Sequence, residues 1–445
     1  MEGLEISVVK LSEVLEDVDL RLESEYYNSE HIVFNSVQGC DIESFSQYGT
    51  SEDLNEEGKG FPILRLNEFD SFFISKPSKY CDLISKETFE LLKLKKNDVL
   101  ICRTNGNPKY VGKAAIVPKN YEYAFASYVF RLRPKTDIIN SATLVSFLNS
   151  KYGRIEIEKY SMVGNQANFS PAKFRQIAIP ILSKELNNKI EEIVYKSFEL
   201  LEESKSLYSQ AEDLLLGELG LKDWQPKNTL HTTKKFSDFA QSGRLDAEYY
   251  QPKYDEIEKE LSKKITLEIS KIGQICDKNF SPIDNVEYKY IELADIGAYG
   301  EITGCTMAIG SELPTRARRI VRKGDVLISS IEGSLQSCAI VPKEFDNALC
   351  STGFYVMTPN KINAETLLIL LKSTVIQLLL KKGCSGTILT NISKDEFLKI
   401  KIPILPEQIQ TKIASLIQQS FECKAQSKHL LEDAKRMVEA EIEKN

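Results

Sequence analysis

Histidine is scarce in this chain: His31, His231 and His429 are the only three in 445 residues, and they lie far apart. No Ser/His/Asp or Cys/His catalytic set can be argued from them. The nine cysteines form no Cys-x-x-Cys pair. That argues against a zinc site, and free thiols point to a reducing, cytoplasmic setting. Long apolar runs are missing too. The longest, Leu367 to Leu371, is cut by Lys372, far short of the roughly 20 apolar residues that cross a bilayer. No membrane partner is expected. The acidic opening Met1-Glu2-Gly3-Leu4-Glu5 does not read as a secretory leader. Nor is there an excess of positive charge: 57 Lys and Arg stand against 64 Asp and Glu, a net of −7. A small histone-like DNA coat is excluded, but DNA binding is not, because it follows local fields.

What is present is an ordinary globular balance, 42% hydrophobic and 27% charged, enough for two or three domains. The chain is also written twice. Arg21-Leu22-Glu23-Ser24-Glu25-Tyr26-Tyr27 returns 223 residues later as Arg244-Leu245-Asp246-Ala247-Glu248-Tyr249-Tyr250. Asp98-Val99-Leu100-Ile101 returns as Asp325-Val326-Leu327-Ile328, and Ala115-Ile116-Val117-Pro118 as Ala339-Ile340-Val341-Pro342. Asn168-Phe169-Ser170 returns as Asn391-Ile392-Ser393, and Ile179-Pro180-Ile181-Leu182 as Ile402-Pro403-Ile404-Leu405. Anchors in one order, with offsets drifting by loop-sized steps, mark an internal duplication. The segments between anchors differ sharply, so the framework is repeated and the loops are not.

Each copy reads as short β runs (97–103, 113–118 and 125–132 in the first), a helical stretch (142–160 and 364–382), a loop, the Ile-Pro-Ile-Leu strand and a long polar helix. The helices, 183–216 and 406–443, are on the order of 50 Å long, and Gly217 and Gly220 are expected to stop the first. Both carry seven-residue columns. Val194, Leu201, Tyr208 and Leu215 form one, and Ser197, Ser204 and Ala211 another; Ser420, Ser427 and Ala434 match the small column in the second helix. This is the spacing of a coiled-coil seam. The expected fold is α+β: two tandem pseudo-symmetric α/β domains separated by an antiparallel coiled coil of two long helices. The expected boundaries are 1–182 and 235–405 for the domains, 183–217 and 406–445 for the helices, and 218–234 for a linker. Two readers on such a rod would suit half-sites about one DNA turn, ~34 Å, apart.

Charge is uneven. Residues 1–60 hold 15 acids and 3 bases, whereas residues 93–135 hold ten bases and two acids, a net of +8. Residues 313–343 hold six bases and two acids, a net of +4, at the same place in the second copy. Such segments attract phosphate, although a solvated basic face is the plain alternative. Polar loops lie within or near them. In copy one the candidates for DNA contact are Arg103, Asn105, Lys109 and Lys113, with Asn165 and Gln166 in a second loop. In copy two they are Arg316, Arg318, Arg319, Ser330, Ser334 and Gln336, with Thr387 in the second loop. Arg suits guanine, and Asn or Gln suits adenine. Asn168 and Asn391 are read rather as caps of a following turn.

Catalytic motifs fail on inspection. Gly106 to Ala114 has five residues between its glycines and no Ser or Thr after Lys113, so it is no P-loop. Asn107-Pro108-Lys109-Tyr110 lacks the second proline of an amino-methyltransferase loop. Asp284 lies too close to Glu287 for two strand-borne metal ligands, and copy one lacks the set.

The tandem halves, the Arg-Leu-(Asp/Glu)-x-Glu-Tyr-Tyr opening, and the Asp-Val-Leu-Ile, Ala-Ile-Val-Pro and Ile-Pro-Ile-Leu strands together resemble the specificity subunit of type I restriction-modification enzymes. The second long helix opens Pro406-Glu407-Gln408-Ile409-Gln410-Thr411-Lys412-Ile413-Ala414, close to that family's pattern; the first, from Ser183, lacks its Pro and Gln. The resemblance implies two target recognition domains, each reading half of a bipartite, asymmetric site on double-stranded DNA. It implies docking of methyltransferase subunits and of a restriction translocase-nuclease subunit. It further implies a non-catalytic chain with no cofactor of its own, the partners using S-adenosylmethionine, ATP and Mg. Two other readings stay open: a self-sufficient DNA enzyme, and a coiled-coil adaptor protein without DNA-sequence readout.

Overall fold

The computed structural model describes residues 8–16, 34–161, 167–227, 229, 231–276, 278–386 and 390–444. The first Arg-Leu-Glu anchor at 21–27 lies outside them. The chain forms two compact units. One is residues 1–202 with 424–445, and the other is residues 203–423, so each unit includes part of both long helices.

In unit 1 a four-stranded antiparallel sheet has the order Glu43–Tyr48, Val129–Pro134, Val99–Cys102, Ala114–Ile116. In unit 2 the order is Gly273–Ile275, Phe354–Pro359, Val326–Ser329, Cys338–Ile340, the same path through the duplicated anchors. Val99–Cys102 and Val326–Ser329 are buried throughout, which is why they read as apolar runs without alternation. The expected strand at 125–132 is two pieces, Ala124–Phe125 and Val129–Pro134. The turn at 126–128 breaks it, and Ala124–Phe125 pairs parallel with Phe61–Leu64 in a second sheet.

The Asp-Val-Leu-Ile anchor owes its repetition to a turn. Asn97 (φ +70°) and Gly324 (φ +87°) occupy the left-handed region immediately before the aspartate, where Gly and Asn are tolerated best. The aspartate then accepts a backbone N–H three residues upstream: Lys95 N to Asp98 Oδ2 at 2.9 Å, Arg322 N to Asp325 Oδ2 at 2.8 Å. Beyond the turn the two copies diverge. Asp98 is buried with Arg131 (Nη1, 3.2 Å) and Arg133 (Nε, 2.5 Å). Asp325 instead accepts from the Thr358 hydroxyl at 2.6 Å.

The expected helical stretch is a helix pair in each unit: Ser141–Leu148 with Lys151–Tyr160, and Ala364–Lys372 with Thr374–Gly383. Serine makes the break, because Ser150 and Ser373 each cap the second helix. Asn140 and Asn363 cap the first, accepting from Thr143 N and Thr366 N at 2.8 Å. Their amides also donate to the long helices, at Asn187 O (2.8 Å) and Gln410 O (2.9 Å). Asn187 therefore stands where Gln410 stands. Both send a side-chain amide back to the strand end, to Leu182 O and Leu405 O. The first copy lacks the Pro and Gln but keeps the contact, and Ser183 Oγ accepts from Leu186 N.

The long helices are Lys184–Leu219 and Glu407–Ile442, 36 residues each. Gly217 lies inside the first. Gly220 (φ +71°) follows its end, an ordinary left-handed C-terminal stop. The linker expected at 218–234 begins packed, with Leu221 buried and Trp224 against the unit 2 core. The small column is the seam. In unit 1 Ser197 Oγ meets Ser427 Oγ at 2.9 Å, and in unit 2 Ser204 Oγ meets Ser420 Oγ at 3.0 Å. Seven residues forward on one helix are seven back on the other, so the helices run antiparallel. Val194, Leu201, Tyr208 and Leu215 are buried beside it, whereas Ile193, Leu200, Leu207 and Leu214, each one residue earlier, are only half-buried.

The two aspartates give a paired test. Asp98→Asn leaves the Arg131 guanidinium buried without its counter-charge, and is expected to lower stability by about 3–5 kcal/mol. Asp325→Asn still accepts from Thr358 and is expected to cost only about 1–2 kcal/mol. Chemical denaturation of the two variants measures the difference, and equal losses would contradict it.

Candidate nucleic-acid interface

In unit 1 the strand Val99–Cys102 runs out of the core into the polar loop 103–113. Thr104 and Asn105 pair antiparallel with Asn168 and Ala167. Phe169 N donates to Arg103 O at 2.8 Å, and Arg103 N donates to Tyr128 O at 2.8 Å. The loop, the segment after 166 and the turn at 126–128 therefore form one surface. Asn168 lies in that strand pair. The cap is Ser170, accepting from Lys173 N, as Ser393, not Asn391, caps in unit 2 by accepting from Glu396 N. The expected asparagine caps are thus displaced by two residues, since the asparagines have β pairing.

Within the loop Asn105 Oδ1 accepts from Asn107 N at 2.8 Å, and Asn107 Oδ1 accepts from Lys109 N at 3.1 Å. These turns leave Asn105 half-exposed and Lys109 exposed. The Arg103 guanidinium lies 4.8 Å from the Tyr48 ring centre, and its Nε is buried with no hydrogen-bond partner among the described residues. Lys113 Nζ lies 5.9 Å from the Tyr110 ring. Tyr48, Tyr110 and Tyr128 are all exposed. Cations interleaved with exposed tyrosines suit a polyanion with stackable faces. Sequence reading missed Tyr48 and Tyr128; no local signal marks them, because only the sheet brings them to Arg103. Asn165 and Gln166 lie outside the described residues.

Unit 2 has the same construction. Ile331 bridges Asn391, and Asn391–Ile392 pairs with Cys384–Ser385. Glu332 N donates to Thr390 O at 3.0 Å and Ile392 N to Ser330 O at 2.8 Å. The turn at 352–353 joins the arginine segment to this loop: Thr352 N donates to Arg316 O, and Ser330 N to Gly353 O, both at 2.9 Å. Arg316 and Gln336 are exposed and Arg318 is half-exposed. Thr387 lies outside the described residues.

Other candidates are hydrogen-bonded within unit 2. Ser330 is buried, with its hydroxyl donating to Gly353 O at 2.9 Å. Ser334 Oγ bonds Ser329 Oγ at 2.9 Å. Arg319 Nη1 donates to Cys276 O at 2.7 Å, and its Nε is buried. Arg318 Nε holds Thr315 O at 3.0 Å.

The linear charge count overstates the first patch. In 93–135, Lys93 pairs with Glu122 (2.7 Å) and Lys119 with Glu202 (2.9 Å), while Arg131 and Arg133 share Asp98. Lys135 Nζ donates to Asp41 O at 2.7 Å. The loop cations Arg103, Lys109 and Lys113 form none of the ion pairs found among the described residues, and they are the ones beside the paired strands.

Residues 264–436 match the family model of the type I restriction modification DNA specificity domain. No curated protein matches the chain significantly. Among solved structures, the chain is similar to a type I restriction-modification S subunit from M. genitalium, at 15% identity over 93% of this chain and 96% of that one, with a TM-score of 0.43. It is similar to the HsdS subunit from Thermoanaerobacter tengcongensis at 13% identity over 92% and 96%, with a TM-score of 0.29. A chain from a study of complex assembly and conformational transition of the type I R-M system aligns at 15% identity over 92% and 97%, with a TM-score of 0.30.

Neighbouring arginines separate the roles. Arg316→Ala is expected to leave thermal stability unchanged and to weaken retention of double-stranded DNA, with the salt slope reduced by about 1. Arg319→Ala is expected to lower the melting temperature, because it strands Cys276 O. Thermal melts together with a salt titration of DNA binding measure both.

Proposed function

We propose, from the premise that residues 264–436 form a type I restriction modification DNA specificity domain, that the whole chain is the DNA-reading specificity subunit of such a system. On this reading each unit is a target recognition domain that takes one half of a bipartite site. The long antiparallel helices act as the spacer between the halves and as the dock for methyltransferase subunits, with a restriction translocase-nuclease subunit completing a cytoplasmic complex. The chain itself performs no catalysis and holds no cofactor; S-adenosylmethionine, ATP and Mg belong to the partners.

The observation that carries the reading is the matched construction of the two surfaces. In both units an outward polar loop leaves the buried central strand. In both, the segment leading to the last strand bonds to that loop, and a turn lies beside them. The framework is common, whereas the side chains at the surface differ: exposed Lys109 and tyrosines with half-exposed Arg103 and Asn105 in one, exposed Arg316 and Gln336 with half-exposed Arg318 in the other. Repeated framework with unlike side chains is what two half-sites of different sequence require, since phosphate contacts position a reader and base-edge contacts specify it.

The test is a host methylome with and without this chain, in cells expressing the methyltransferase partner. One split motif with two unlike halves and a fixed gap is expected. A single contiguous motif would overturn the bipartite reading. Loss of every DNA signal alongside salt-insensitive protein binding would favour the adaptor.

A further inference from the structure

The helix pair of each unit carries polar side chains at corresponding places, and they bond the first DNA-facing loop. Asn149 sits at the break between Ser141–Leu148 and Lys151–Tyr160. Its Nδ2 donates to Ala114 O at 2.8 Å, and its Oδ1 accepts from Ala114 N at 3.2 Å. The residue 223 positions later is Lys372, at the break of the other pair, and its Nζ donates to Gln336 O at 2.7 Å. Arg154, on the second helix of unit 1, directs Nη2 at Lys109 O at 3.4 Å. The residue 223 later is Gln377, and its Nε2 donates to Leu335 O at 3.0 Å and to Leu371 O at 2.7 Å.

Apart from the Gln377 bond to Leu371 O, which ties the two helices together, these bonds reach loop backbone or the first residue of the strand that ends it. They fix where the loop runs and leave its side chains free. The loop also lies close on the helix pair: at Gly112 (φ +75°) an added Cβ would stand 2.4 Å from Ile157 Cγ2. Backbone carbonyls turned toward such a helix face need a partner, and a polar side chain at the right height on the helix supplies one. The chemistry changes between the copies, amide against ammonium and guanidinium against amide, while the positions do not. That is the pattern of a support adjusted to the loop it carries. Discrimination by a bidentate base contact depends on placement of the reading group, so movement of the backbone is felt as lost preference.

We propose that Asn149 and Arg154 in unit 1, and Lys372 and Gln377 in unit 2, are positioning residues that set the base preference of their own half-site without touching DNA. The proposal rests on the specificity-subunit reading. The full chain, assembled with its methyltransferase subunits, is used to select from a random double-stranded DNA library, and the selected sites are sequenced. Lys372→Met keeps the aliphatic stem and removes the donor; it is expected to flatten the preference of one half-site by about tenfold and leave the other sharp. Arg154→Met is expected to do the reverse. Lys372→Arg, which restores a donor, is expected to recover the preference. Gln377→Leu serves as the second unit 2 variant where Lys372→Met lowers the melting temperature. Unchanged preference at both halves overturns the proposal, as does equal weakening of both. A wild-type complex that selects no split motif overturns the specificity reading and this proposal together, whereas a split motif that survives every variant overturns the proposal alone.

Discussion

A polar loop that leaves a core keeps a fixed course only if its backbone groups are paired where it meets that core. The rest of this structure follows from that constraint. The central strands Val99–Cys102 and Val326–Ser329 are buried throughout, so the chain leaves the core at a fixed point. From there the loop is tied on one side by the strand after it and on another by a turn of the neighbouring sheet. Side chains of the helix pair, Asn149 and Arg154 or Lys372 and Gln377, tie it again. Its Arg, Asn and Lys side chains then act from a defined backbone.

The duplication shows which parts of that framework are geometry and which are chemistry. Asn97 and Gly324 share a left-handed turn, and either residue meets its steric demand. Asn187 and Gln410 send an amide to the same strand end from side chains of different length. Arg133 and Thr358 hold corresponding places beside Asp98 and Asp325, one as an ion pair and the other as a hydroxyl donor. In each case the position and the hydrogen bond persist while the residue changes. The second Arg-Leu-Asp anchor behaves similarly. Arg244 holds Asp246 and donates to Cys384 O at 2.8 Å, the strand that pairs with Asn391–Ile392. A motif prominent in the sequence thus acts as a fold latch beneath the second loop.

Folding redistributes the charge of the first basic segment. A net of +8 over residues 93–135 is a count along a line, and salt bridges form in space. Asp98 takes two of the ten bases, and acids distant in sequence take others. The cations that remain beside the paired loops are fewer, and exposed tyrosines stand among them. The result is a mosaic of cations and exposed tyrosines rather than a uniform positive field.

The repeat, the two long helices with their seven-residue columns, the strand anchors and the place of both loops were all legible in the amino-acid sequence. They are expressed as periodicity, spacing and recurrence, which a linear string carries in full. Where a helix ran through Gly217, where the stretch 142–160 broke at Ser150, and which of Ser170 and Asn168 made the cap were not legible, because neighbouring residues compete locally and the winner depends on pairing elsewhere. Which arginines face outward was likewise settled by packing. Arg316 and Arg319 stand three residues apart in one basic run; only the carbonyl of Cys276, distant in sequence, assigns Arg319 to the fold and leaves Arg316 exposed. Tertiary structure decides such cases because a side chain's task is set by the polar groups within about 3 Å of it, and most of those come from other parts of the chain.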